Sequence, residues 1–190
     1  MNPLQLKQLI EAALFAHPQS LSAEQLHQLL LNEGEASLTA IKQQLKELQF
    51  DYRERGIELV KVASGYRFQT RAELGQRLAG LWQEKPPKYS NALLETLALI
   101  VYRQPITRGE IEQIRGVSVS SHIMKTLQER GWVKVVGHKE VPGRPQLYAS
   151  TNDFLDDFNL SDLSELPDID TLSKDDERTA ETATNERDDS

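Results

Sequence analysis

The stretch "LALIVYRQPITRGEIEQIRG", residues 97–116, decides the fold. An apolar helical run ends at a proline, Pro105, which cannot continue a helix. Ile106-Thr107 and Glu110-Ile111 then supply the parts of a helix start. The Thr107 oxygen can accept the N–H three residues on while Glu110 reaches back to the cap, a capping box. Ile106 and Ile111 flank it as a hydrophobic staple, and Gly116 is a natural helix stop. The same device stands at "LSAEQL", Leu21–Leu26, with Ser22 and Gln25 as the box and Leu21 and Leu26 as the staple. That copy also follows an apolar helix and a proline, in "EAALFAHPQS", residues 11–20. One box is weak evidence; two in matching contexts imply a duplicated unit.

What surrounds each copy agrees. Leu6, Leu9, Ile10, Ala13 and Leu14 form one face of an opening helix that Pro18 stops. After the first copy, Leu38, Ile41, Leu45, Leu48 and Tyr52 keep helical spacing, with Gly56 read as the stop. "IELVKVA" and "YRFQT" read as strands around a Ser64-Gly65 turn. After the second copy, Ser118 is read as the cap of a helix to Arg130 that carries Ile123 and Leu127 on one face and closes at Gly131. "WVKVVGHKEVPGRPQLYAST", residues 132–151, completes a second hairpin. Helix, helix, helix and two-stranded wing is the order of a winged helix-turn-helix. The expected fold is mainly α with small β-hairpins (α+β): two tandem winged helix-turn-helix domains and a disordered acidic tail. The expected boundaries are 1–82 for the first domain, 83–88 for a Pro-Pro linker, 89–167 for the second with its apolar extension, and 168–190 for the tail.

Charge and composition exclude more than they assign. The 190 residues carry a net charge of −7. The tail holds nine acidic side chains against Lys174, Arg178 and Arg187, and has almost no large apolar side chain after Leu172, so it cannot bury enough surface to order itself. No cysteine is present, which rules out disulfides and thiolate metal sites. No run reaches the length of a membrane-spanning helix, and the start lacks a signal peptide's basic region, so a cytoplasmic protein is expected. His17, His27, His122 and His138 are scattered, no Gly-rich loop precedes a Lys-Ser/Thr pair, and the serines around His122 read as helix caps rather than nucleophiles. Neither an enzyme nor a cofactor is expected.

Winged helices bind DNA or other proteins. Arg103, Arg108, Arg115, Lys125, Arg130, Lys134, Lys139 and Arg144 outnumber Glu110, Glu112, Glu129 and Glu140 only moderately. The helix that would enter a groove offers few groups for base or phosphate contacts. Protein binding is therefore favoured; a winged-helix DNA-binding transcriptional regulator is the alternative. Arg144 either holds the wing turn or reaches a partner. Phe154, Leu155, Phe158, Leu160, Leu163 and Leu166 either pack on the second domain or form a docking stripe. Leu30, Leu31, Phe50 and Tyr52 either fill the first core or serve self-association.

At "ALLETLALIVYRQPITRGEIEQIRGV", "LQERGWVKVVGHKEVPGRPQLYAST" and "FLDDFNLSDLSELP" the chain resembles the segregation and condensation protein B (ScpB) family. "GIELVKVASGYRFQT" resembles it more loosely. The resemblance implies a non-catalytic adaptor of the bacterial SMC condensin, acting in chromosome condensation and segregation on the nucleoid. It implies a homodimer, paired through the first domains, that grips the kleisin subunit, segregation and condensation protein A, and through it SMC. DNA contact would be indirect or weak. The partner-binding residues expected on this reading are Arg103, Gln104, Arg108, Arg115, Lys139, Arg144, Tyr148, Phe154 and Phe158.

Overall fold

The computed structural model describes residues 1–30, 35–81 and 88–167. The expected Pro-Pro linker, the acidic tail and Leu31 lie outside them, apart from Lys88. The first helical group is α1 (Pro3–Ala16), α2 (Ala23–Leu30) and α3 (Leu38–Asp51), followed by the antiparallel hairpin β1 (Ile57–Val62) and β2 (Gly65–Thr70) and by α4 (Ala72–Leu78). The second is α5 (Asn91–Arg103), the short strand β3 (Ile106–Thr107), α6 (Arg108–Arg115) and α7 (Ser121–Glu129). Then come β4 (Val133–His138), β5 (Gln146–Ser150) and α8 (Asn152–Asp157). The fold is α+β, as the repeat implies.

Both capping boxes form. Gln25 Oε1 accepts from Ser22 N at 2.8 Å, and Ser22 Oγ from Gln25 N at 3.1 Å. Thr107 N donates to Glu110 Oε2 at 2.8 Å, and Glu110 N to Thr107 Oγ1 at 3.3 Å. A third box, between Asn2 and Gln5, starts α1. All four staple side chains are buried, as are Leu6, Ile10 and Leu14 of α1 and Ile41, Leu45 and Leu48 of α3. Each such side chain contributes about 1.5–3 kcal/mol by leaving water. Two separate apolar clusters result. One joins α1–α3 to Leu59 of β1; the other joins α5–α7 to Trp132, Val133, Tyr148, Phe154 and Leu155.

Several local expectations shift. Helix α3 ends at Asp51 with Tyr52 as its C-cap, well before Gly56. There the Arg71 guanidinium bonds the carbonyls of Tyr52, Arg53 and Arg55, satisfying acceptors that a helix end leaves open. The first hairpin turns at Ala63-Ser64, since Val62 pairs with Gly65. Gly65 is instead the first residue of β2, with φ of +147°. Its Tyr66 neighbour exchanges both backbone hydrogen bonds with Leu21, which ties the hairpin to the α1–α2 connection. Ser120, not Ser118, caps α7, accepting from Ile123 N. The second sheet has three strands in the order β3-β5-β4, so the wing is anchored through β3 to the foot of α6. Between Val135 and Gly137 the β4–β5 register slips at a bulge.

Chain after the second wing reaches both groups. Phe154 and Leu155 enter the second core, with Leu160 and Leu166 packed against it, whereas Phe158 and Leu163 stay exposed. The same stretch seizes the tip of the first hairpin. Ala63 N donates to the Leu160 carbonyl and Ser64 N to Asp156 Oδ1, each at 2.9 Å. Arg67 donates to the Asp156 carbonyl at 2.7 Å and to Asn159 Oδ1 at 2.9 Å. Asp156→Ala removes the acceptor of the Ser64 amide while leaving both cores intact. We expect hydrogen exchange at Ser64 and Ala63 to speed up by roughly tenfold, matching loss of about 1.5 kcal/mol of local stability, with the α3 amides unchanged.

Candidate functional site

A groove beside the helix-turn-helix is the strongest candidate. The last turn of α5 leads into it through Gln104, whose Oε1 accepts from Ser150 N at 2.7 Å and from Ser150 Oγ at 3.0 Å. Gln104 Nε2 donates to the Val101 carbonyl at 3.1 Å. Gln104 is thus a structural tie between α5 and β5, set behind the surface. Pro105, joined by a cis peptide, and the capped start of α6 then form the groove with Arg103, Ile106, Glu110, Gln113 and Ile114. Ile114 is 56% exposed although it stands three residues after fully buried Ile111. Val117, just past α6, is exposed too. Arg103 is exposed and has no ion-pair partner among the described residues. Lys139 comes from the wing to the rim and pairs with Glu110.

That pair sets the electrostatics of the groove. The Lys139 ammonium, then the Thr107 N–H and hydroxyl, lower the Glu110 carboxyl to about 2. A folded-state value below the ordinary carboxylate range contributes stability above pH ~4.3 that is lost as pH falls toward about 2. Glu110→Gln keeps the capping geometry and removes the charge. The gap in urea midpoint between wild type and Glu110→Gln should therefore hold down to about pH 5 and then narrow towards about pH 2. A gap independent of pH would show that the charge contributes nothing.

The other expected residues divide. Arg108 Nε pairs with Glu112 Oε1 at 3.0 Å, and that oxygen also accepts from Val119 N at 2.9 Å. The Val119 N–H first, and Arg108 second, lower the Glu112 carboxyl. Arg108 and Glu112 together hold the α6–α7 turn. Arg115 is largely buried, bonding Glu95 at 2.8 Å and Thr96 Oγ1 at 3.3 Å, so it joins α6 to α5. Arg144 is highly exposed at the wing tip and pairs with Glu140 at 3.2 Å; its φ of +38° lies in the left-handed region. Tyr148 and Phe154 require correction as contact residues. Both rings are buried in the second core, and Tyr148 donates its hydroxyl to Gln146 Oε1 at 2.7 Å. Phe158 remains 43% exposed, edge-on to Trp132 with ring centres 5.3 Å apart. The groove thus gathers Arg103 and Lys139, with Gln104 behind them.

The first group contributes a different surface. Leu30 packs against the core and Tyr52 is buried, its hydroxyl donating to Glu11. Leu4, Phe15, Leu29 and Phe50 of α1–α3 are each more than half exposed. Among the described residues no helix is long and apolar enough to cross a membrane, and no cluster of His, Asp and Glu could hold a metal ion.

The family model for the segregation and condensation complex subunit ScpB matches residues 8–169. The chain belongs to the ScpB family. A segregation and condensation protein B homolog from Coxiella burnetii is 55% identical over 172 residues, covering 90% of this chain and 82% of that one. Segregation and condensation protein B from Syntrophotalea carbinolica is 40% identical, over 88% of this chain and 83% of that one. Among solved structures, ScpB from Mycobacterium tuberculosis is 29% identical, covering 84% of this chain and 98% of that one at a TM-score of 0.39. The Coxiella burnetii and Syntrophotalea carbinolica relatives each align over more of this chain than either helical group spans alone.

Proposed function

We propose that the chain is a non-catalytic adaptor of the SMC–kleisin condensin, acting in the cytoplasm on the nucleoid during chromosome condensation and segregation. The residues from 89 to 167 dock the kleisin ScpA, and those from 1 to 82 pair two copies of the chain. The observation that carries this reading is the groove of Arg103, Pro105 and Ile114, which sets exposed apolar surface beside a cation with no ion-pair partner among the described residues. Such a surface suits a partner segment with an apolar anchor and a carboxylate. Self-pairing draws support from exposed Leu4, Phe15, Leu29 and Phe50. The adaptor would change the shape of the SMC–kleisin ring, and hence its ATP cycle, without performing chemistry.

The DNA-regulator reading is weaker because most cations of the helix-turn-helix are already committed. Arg108, Arg115, Lys125, Lys139 and Arg144 each pair with a carboxylate, and Arg130 lies over the rings of Tyr89 and Trp132. Phosphate neutralisation needs several free cations in one stripe, roughly six. Light scattering of the chain alone, then with its cognate ScpA, tests the proposal at low and at about 0.3 M salt. A dimer that takes up ScpA at both salts is expected. A chain that ignores ScpA yet shifts a DNA duplex at low salt would reverse the assignment.

A further inference from the structure

The two hairpins are built alike, yet their tips meet opposite surroundings. Every residue of the second tip, from Lys139 to Arg144, is exposed. At the first tip Ala63 and Ser64 are half-buried, and Ala63 packs against the apolar cluster of the second helical group. The cause is the turn that ends α8. That helix is locked to its own group: Phe154 and Leu155 are buried in the second core, and Trp132 Nε1 donates to Asp157 Oδ2 at 2.7 Å. Its end is a Schellman-type turn, with Asn159 in the left-handed region at a φ of +58° and Leu160 N donating to the Leu155 carbonyl at 2.8 Å. The turn presents four acceptors: the Asp156 carboxylate and carbonyl, Asn159 Oδ1 and the Leu160 carbonyl. The hairpin supplies the matching donors, because its two-residue turn leaves the Ala63 and Ser64 amides outside the ladder and Arg67 adds its guanidinium. The Ser161 hydroxyl adds a bond to the Lys61 carbonyl at 3.3 Å.

We propose that the first wing is a joint: its tip and the α8 turn hold the two helical groups in one orientation, so this wing is used up inside the chain while the second keeps its tip in solvent. Motion between groups within one chain is the default unless a contact fixes them. Here donors and acceptors on two rigid turns meet at several points at once, and the contact closes within one molecule. With the joint closed, exposed Leu4, Phe15, Leu29 and Phe50 stand at a fixed spacing from the Arg103 groove. The use of that spacing rests on the proposed adaptor function; the joint itself does not.

Residual dipolar couplings of the full-length chain, with no partner added, read the joint directly. Amide couplings from the two groups should fit one alignment tensor with the groups oriented as in this structure. Arg67→Glu sets a carboxylate against Asp156, and Asp156→Ala with Asn159→Gly removes two acceptors while suiting the left-handed turn. In either variant the groups should need separate tensors, with the order of the second falling below about half that of the first. Unchanged amide shifts in α3 and α7 are the control that both cores stay folded. A wild-type chain that needs two tensors would overturn the proposal. So would one tensor that fits only with the groups rotated into another relation, or a single tensor retained by both variants.

Discussion

Gly65→Ala should unfold the protein at a much lower urea concentration than wild type. A Cβ at this position would stand 2.3 Å from the carbonyl carbon of Leu21, held by the Leu21–Tyr66 backbone bonds, and 2.4 Å from Ser22 N, held by the α2 capping box. Neither can move without breaking the bonds between Leu21 and Tyr66. The φ of +147° adds backbone strain for any residue with a side chain. Strain of about 1–3 kcal/mol and a clash of similar size together remove about 3–5 kcal/mol, a large share of a domain's ~5–15 kcal/mol. Gly75→Ala is the matched control. It lies inside α4 with nothing within 4 Å of the added carbon, and should stabilise by about 0.5–1 kcal/mol. Equal midpoints for the two variants would mean the hairpin does not press on the α1–α2 connection in solution.

The largest functional effect is expected from Ile114→Asp. The side chain is 56% exposed, so the substitution leaves the core and the thermal midpoint nearly unchanged. Within the proposed dock it puts a carboxylate where the partner's apolar anchor would sit. A central anchor of an interface contributes about 2 kcal/mol or more, which corresponds to at least ~30-fold weaker ScpA binding by calorimetry. Arg103→Glu should add to the loss, whereas Arg144→Glu, at the wing tip and paired only with Glu140, should change affinity little. Wild-type affinity in Ile114→Asp would remove the groove from consideration.

What could be read in the chain followed the range of the forces involved. The boxes at Ser22 and Thr107 are local, since each closes within three residues, and both form as written. The first hairpin turns one residue earlier than Ser64-Gly65, because Gly65 answers to Leu21, far away in sequence, rather than to its own turn. Helix α4 leaves no apolar period to read, since none of its residues is buried. The site was legible as composition but not as pairing. Arg115 counts as a cation in the sequence, yet its charge is spent on Glu95 of another helix. Ile114 carries the opposite lesson: it follows buried Ile111 by three residues, yet the fold leaves it 56% exposed. Tyr148 and Phe154 enter as partner contacts only through the family resemblance, and of the two alternatives open for Phe154 the fold takes packing: both rings lie in the second core.

The slipped register at Val136 has a consequence for the protein in crowded solution. Among the described residues strand β4 pairs only with β5, which leaves its outer row of amides and carbonyls open to a stranger's backbone. A flat edge bearing Val133, Val135 and Val136 would recruit strands from other copies and grow without limit. The bulge bends that edge just where its valines cluster, and Lys134 and Lys139 place charge at either end. Straightening β4 by deleting Val136 should turn a well-behaved protein into one that precipitates on concentration.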